Sequence, residues 1–292
     1  MQDPVSVYTY MDLKENLMHC LFIPNGGDKT KGKKPMLTEF KSINSLPAAV
    51  FKMQAHESRS PNYRHVPTID IVQHMSALGY GVVQAQAANV RKAHKYGFNT
   101  HIVKFQHYDA PINHDGTVAQ ILLRNAHDGT KAVELFGGVF RFVCANGIVT
   151  YSKDYGSASL GHRGGNLWDR IKAAVAHIQA STTAADRLID GWTKKHLSYA
   201  QQLDFAQAAL ELRYPVADKR PVVAGDLLEA KRPEDAQDNA WCTFNRVQEH
   251  LTRGGIQGIA MGKIRSIRRI RGADSDLRLN AQLWGIGESM FA

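Results

Sequence analysis

Four features of this chain bear on chemistry: paired histidines and aspartates, a glycine-rich loop, three cysteines and three runs of cations. His114-Asp115 and His127-Asp128 each open an H-D-G-T tetrad. A metal phosphohydrolase would start from such pairs, but it also needs further histidines and carboxylates carried on helices. Asp-Gly between apolar runs is among the strongest hairpin signals, and both tetrads stand between such runs, so they read as turn tips. His65, His74, His94, His101 and His107 show no i, i+4 pairing beside an acid, the spacing that makes a zinc motif specific. Gly156 to Gly161 has the spacing of a phosphate loop, yet His162 and Arg163 occupy the positions where Lys and Ser/Thr must stand. Nucleotide hydrolysis is thereby disfavoured. A glycine loop entering a helix can still hold a phosphate on its amides, with Arg163 adding charge, or it can be a plain connector.

Cys20, Cys144 and Cys242 form no C-x-x-C pair and read as reduced; Cys144, inside an apolar strand, reads as a small buried hydrophobe. No G-x-S-x-G elbow is present, and a two-metal nuclease would need carboxylates where this chain has few. The sequence thus offers no catalytic motif, and no cofactor or metal is expected.

Positive charge is the feature with a direction. The 292 residues carry 36 Lys and Arg against 27 Asp and Glu, a formal charge of +9, which favours polyanionic partners. From Ile71 through Tyr108 there is no acid, and within that stretch Arg91, Lys92, Lys95 and Lys104 accompany Tyr96 and Phe98. Cations can neutralise phosphates there while aromatic faces accept stacked bases; the alternative is a surface hairpin with ordinary core aromatics. The second cluster is Lys263, Arg265, Arg268, Arg269 and Arg271, with no acid between Glu249 and Asp274. Ile264, Ile267 and Ile270 recur three apart within it, as in a short helix with a basic face or a basic loop pinned by its isoleucines. A further run, Lys29, Lys31, Lys33 and Lys34, is a solvated loop or a DNA-touching arm.

These residues must be positioned by a fold. With 43% apolar and 22% charged residues the chain can bury a sizeable core without disulfides, and no stretch approaches a membrane span, so a soluble cytoplasmic protein is expected. Residues 1–65 read as an N-terminal arm or loop region. Thr68 can cap a helix with Ile71, Met75 and Leu78 on its apolar face and Gly79 at its stop. Val82-Val83 and Ile102, Val103 and Phe105 suggest strands, followed by Val118–Leu123, Val133–Phe136, Phe140–Cys144 and Ile148–Tyr151, the last pair joined through Asn146-Gly147. Helices are expected from Asn166, from Ser198 with a capping box to Gln201, along Ala240–Leu251 up to Gly254-Gly255, and after Asp276. The order predicts an α+β fold: an antiparallel meander of about five strands packed with helices in a core over 66–180, then a mainly helical region over 181–292 carrying the basic segment 263–271.

Four blocks also resemble a known family. Tyr63 to Asp70 (YRHVPTID), Leu123 to Thr130 (LRNAHDGT), Gly138 to Gly147 (GVFRFVCANG) and Thr243 to Glu249 (TFNRVQE) are similar, in the same order, to phage- and plasmid-borne proteins of the YfjQ/YafZ/YubP type. The resemblance covers roughly residues 60 to 290 and implies life on mobile DNA rather than a particular reaction. By analogy, a curved antiparallel sheet beside helices with a positive surface suits a single-strand annealing protein of the RecT, Redβ and Erf sort.

The expected function is therefore nucleic-acid binding, foremost of single-stranded DNA in recombination, with duplex DNA as a second ligand and a homo-oligomeric assembly. An anti-defence or regulatory protein that binds a host protein is the alternative, and a metal-dependent nuclease the third reading.

Overall fold

The computed structural model describes residues 38–60, 63–113, 116–141, 146–148, 157–160, 166–260 and 262–291. The lysine run, Arg163, Cys20, Cys144 and the His114-Asp115 pair lie outside them, as do Gly156 and Gly161 of the expected glycine loop, whose residues Ser157–Leu160 form a strand instead. Residues 38–292 form one compact unit, and the expected α+β class holds.

Helix α1 (Thr68–Ala77) begins one residue earlier than a Thr68 cap would place it, because Pro67 takes the cap position and frees the Thr68 hydroxyl for tertiary bonding. Ile71 and Met75 are buried, and Gly79 ends the helix at φ 85°. Strands β1 (Tyr80–Ala87), β2 (His101–His107), β3 (Thr117–Asn125) and β4 (Val133–Arg141) follow as an antiparallel meander. Two short strands, β5 (Asn146–Ile148) and β6 (Ser157–Leu160), pair with different halves of β4, giving this sheet six strands among the described residues. Asn146 and Gly147 are not a turn tip: they lie within β5, opposite Arg141 and Phe140.

One sheet face presents Val103, Phe105, Ile121, Leu123 and Leu135, which pack with α1 and with Ile171, Ala174, Val175 and Ile178 of α2 (Leu167–Lys194). Asn166 caps α2 by accepting from the Trp168 amide. This helix runs unbroken through residue 180 and belongs to both the sheet layer and the helical layer. Its second half carries Trp192 into a cluster with Trp241, Phe244, Trp284 and Phe291, the centre of the C-terminal core. That core is completed by α3 (Tyr199–Arg213), whose Ser198–Gln201 capping box forms as expected, by α4 (Ala240–Arg253) and by α5 (Ala273–Phe291). Helix α5 starts three residues before Asp276, so that Asp274 and Asp276 occupy its first turn, where acids complement the helix dipole.

Helix α4 is the axis of this layer. Its pattern reads as amphipathic, yet every residue from Ala240 to Thr252 is buried. Polar members are accommodated by specific bonds: Gln248 donates to Asn280 (2.7 Å), Arg246 to Gln202 (2.8 Å) and His250 Nε2 lies 2.8 Å from the Glu229 carbonyl.

Residues 267–272 of the segment expected to be a basic helix or loop are a loop pinned by Ile267 and Ile270, while its first part is β8 (Lys263–Ser266), which forms a two-stranded ribbon with β7 (Gln257–Ala260). Gly254 sets its departure from α4 with φ 70° and ψ −154°, a region open in practice only to glycine. A Cβ there would also strike the Ile267 carbonyl. Gly254→Ala is therefore expected to destabilise the protein by about 3 kcal/mol, from about 1–3 kcal/mol of backbone strain plus the clash. Urea unfolding checks this; a loss below about 1 kcal/mol would show that the ribbon does not depend on that turn.

Candidate nucleic-acid interface

Which cations remain available depends on which are already paired. On the sheet face away from α2, Arg124 of β3 binds Glu134 of β4 (2.5 Å) and Asp274 of α5 (2.9 Å), and Lys131 binds Asp274 (3.0 Å). Lys104 is half-buried on the same face, and Asp276 and Arg253 lie close enough to act on its charge. Burial lowers its ammonium below the usual lysine range, with Asp276 opposing that shift. Burial likewise raises the Asp276 carboxyl, against the opposing pull of Lys104, Arg253 and Arg269. The first turn of α5 thus pairs with Arg124 and Lys131 through Asp274 and acts on the half-buried Lys104 through Asp276.

The rest of the first cluster divides. Lys95 approaches Asp128 at 3.7 Å, an acid supplied by a later hairpin that the acid-free local sequence cannot reveal. Phe98 is half-buried, its ring beneath the Lys52 ammonium (4.6 Å) and edge-on to His56 (5.1 Å). Arg91, Lys92 and Tyr96 are exposed, and no described carboxylate pairs with either cation.

The second cluster stays open. Lys263 at the ribbon tip and Arg268, Arg269 and Arg271 beyond it are exposed, Arg265 is half-buried, and no described carboxylate lies within ion-pairing distance of the five. Their segment is held by its backbone: the Gly255 amide donates to the Ile267 carbonyl (2.9 Å), the Ile267 amide to the Ile256 carbonyl (3.0 Å), and the Arg213 guanidinium to the Leu251 and Arg268 carbonyls. Ile267 is buried and Ile270 packs against the core, but Ile264 is 76% exposed and anchors nothing.

The histidine-aspartate pair at residues 127–128 lies in the β3–β4 connection, as a turn should, with Gly129 at φ 74° and Asp128 accepting from the Thr130 amide (3.1 Å) and hydroxyl (2.6 Å). This is a seven-residue connection rather than a two-residue tip, and it folds inward, burying His127. His127 Nε2 lies 2.8 Å from the Ala49 carbonyl, and His65 and His101 flank its ring at 4.6 and 5.0 Å. His101 Nδ1 faces the Asn99 carbonyl (2.9 Å), which leaves Nε2 to accept from the Thr68 hydroxyl (2.7 Å). Asn125 donates to that hydroxyl (2.9 Å) and to the Val66 carbonyl (3.2 Å). Each of these bonds is compatible with a neutral imidazole, and together they tie α1 to the sheet. Among the described residues no group of three or more His, Cys, Asp or Glu is placed to hold a metal ion.

Burial, together with the charges His101 and His65 would carry, lowers the His127 pKa to about 3, and burial lowers that of His101. The unfolded chain, with histidines near 6.5, then binds protons that the fold refuses, so stability is complete above about pH 6.5 and falls as the pH drops towards about 3. His127 alone should remove about 2 kcal/mol between about pH 6.5 and about pH 5. Thermal melts are expected to show that loss, and His127→Gln, which keeps a donor for Ala49, to flatten it; a Tm unchanged across the window would contradict the neutral cluster.

These elements define a class: an α+β protein with a six-stranded antiparallel sheet, an all-buried polar helix at the centre of its helical layer, and a cationic ribbon projecting from that layer. The chain belongs to the family described as Domain of unknown function (DUF932), whose model matches residues 55–284, from the histidine cluster to most of α5. It is 30% identical over 243 residues to the UPF0380 protein YfjQ of Escherichia coli (strain K12), covering 83% of this chain and 87% of that protein. It is similar at the same identity and coverage to the UPF0380 protein YafZ of the same strain. No solved structure matches the chain.

Three of the four segments carrying the family resemblance contribute to two buried polar centres, and the fourth lies on the helix beside the second. Tyr63–Asp70 and Leu123–Thr130 converge on Thr68, and Arg141 of the third reaches Asp235 and the face of Trp241, at the start of the helix that holds the fourth. No described helix is long and apolar enough to cross a membrane.

Proposed function

We propose that this protein binds single-stranded DNA and holds it for annealing during recombination of phage or plasmid DNA, acting in the cytoplasm as a homo-oligomer. The observation that carries this reading is the charge on the ribbon segment. Lys263, Arg268, Arg269 and Arg271 stand in solvent within nine residues of one another and pair with no described carboxylate, while Arg124, Lys131 and Lys95 do. A backbone phosphate supplies the missing counter-charge, and each one neutralised releases condensed counterions. Arg91, Lys92 and the exposed ring of Tyr96 form a second contact of the same chemical kind, a cation pair beside a stacking face. No bond is made or broken in this role: the strand is held by its phosphates and the bases stay free to pair.

Gel shifts with single-stranded DNA, duplex DNA and RNA of matched length test the reading. The expected order is single-stranded DNA tightest and duplex DNA weaker, with no dependence on sequence; equal and weak retention of all three would overturn it.

A further inference from the structure

The ribbon bears a second feature that charge does not account for. Ile259 and Ile264 are directly opposite one another in the β7–β8 ladder, and both are largely exposed, at 77% and 76%. At the ribbon base the outcome is opposite: Ile256 and Ile267 are buried in the C-terminal core. The alternation of a strand explains the division. Ile256, Gly258, Arg265 and Ile267 face the body, where Gly258 runs so close to Val222 and Pro221 that a Cβ would lie 2.9 Å from the Val222 backbone. Gln257, Ile259, Ile264 and Ser266 form the outer face, and all four are exposed. The ribbon is thus pinned along one face and presents on the other an aliphatic pair beside a polar pair. Cross-strand Cβ atoms about 5 Å apart make the isoleucines one continuous platform.

Two exposed isoleucines a few residues from four exposed cations, none in an ion pair with a described carboxylate, suit an occupant that is both anionic and apolar. Nucleic acid with unstacked bases satisfies both demands, since apolar side chains of this type wedge against base faces while neighbouring cations hold the phosphates. The adjacent Gln257 and Ser266 side chains can also donate to and accept from base edges, which a lipid acyl chain has no use for. A single pair of isoleucines also offers little area for a membrane anchor, which normally combines several apolar side chains.

We infer that the Ile259–Ile264 pair is a base-contacting wedge, which packs against unstacked bases of a strand whose phosphates are held by Arg268, Arg269 and Arg271 of the following loop. This rests on the nucleic-acid reading above and assigns its apolar contact. The test uses the full chain and a single-stranded oligonucleotide with one 2-aminopurine, whose fluorescence rises when the base leaves its stack. Wild type is expected to raise the emission. Ile259→Ser with Ile264→Ser should abolish the rise and weaken binding about tenfold with the salt slope unchanged, because no charge is lost. Ile259→Leu with Ile264→Leu should restore both, and thermal melts of all three proteins report whether the fold is kept. If wild type binds and the serine variant matches it in affinity and emission, the wedge is wrong while the nucleic-acid reading stands. Absence of binding by wild type removes both. Co-sedimentation with phosphatidylserine vesicles that the serine variant loses, with DNA binding intact, would assign the pair to a lipid surface and overturn the inference.

Discussion

Arg268, Arg269 and Arg271 changed together to alanine should leave the protein folded and weaken its binding of single-stranded DNA by roughly two orders of magnitude at low salt. All three side chains are exposed, none pairs with a described carboxylate, and Ile267 and Ile270, which hold the segment to the core, are untouched. Surface changes of this kind cost within about 0.5 kcal/mol each, so the melting temperature should barely move. Each phosphate contact contributes about 0.7 to the salt slope for a single strand, and losing three should flatten it by about 2. Arg265 is left out because it is half-buried on the ribbon's inner face, where its loss would confuse packing with binding. A folded triple variant with wild-type affinity would move the interface to Arg91, Lys92 and Tyr96.

The largest loss of stability is expected at Asp235. Its carboxylate accepts from Arg141 at 2.6 Å with side chains only 2% and 5% exposed, and the guanidinium lies 5.9 Å from the centre of the Trp241 ring. Asp235→Ala leaves a buried cation without its carboxylate, which costs about 3–5 kcal/mol. Replacing both partners by apolar residues, Arg141→Met with Asp235→Leu, should cost less than either single change, since two charges no longer need to be desolvated. Urea unfolding of the three variants decides this. Single-variant losses within about 1 kcal/mol would show that the pair is not what joins β4 to the helical layer.

How far the sequence reaches can be judged at particular residues. The Ser198 capping box, the Gly79 stop and the alternation in β3 and β4 are local signals, and each appears where its spacing puts it. Asn146-Gly147 carried the same strength of signal and lies in a strand, because pairing with β4 outweighs the intrinsic turn preference of the dipeptide. The basic segment illustrates a different loss. Ile264, Ile267 and Ile270 at every third position imitate a helix, while the alternation Gln257-Gly258-Ile259 and Ile264-Arg265-Ser266 about Gly262, at φ 70°, marks a hairpin. Both periods fit so short a stretch, and only the ladder decides between them.

The site residues separate on long-range contacts. Lys95 meets Asp128 and Lys104 feels Asp276 across distances in sequence that no window spans. Arg91, Lys92 and Tyr96 stay exposed, as do Lys263 and the three arginines after the ribbon, of which Arg269 also acts on Asp276. Arg141 and Asp235, ninety-four positions apart, could not be paired in advance, although an arginine inside the apolar run GVFRFV was a sign that a carboxylate must come to it. The histidine cluster was hidden for the same reason: Thr68, His101, Asn125 and His127 come from three separate elements and one connection.

The central claim is that solvent-facing cations on the ribbon and its following loop hold the phosphates of a single strand. Fluorescence anisotropy of a labelled single-stranded oligonucleotide, titrated with wild-type protein in a salt series between about 50 and about 200 mM, measures this directly. With about five phosphates contacted, log K should fall against log salt with a slope near −3.5. No detectable binding at the lowest salt, or an affinity indifferent to salt, would contradict the claim.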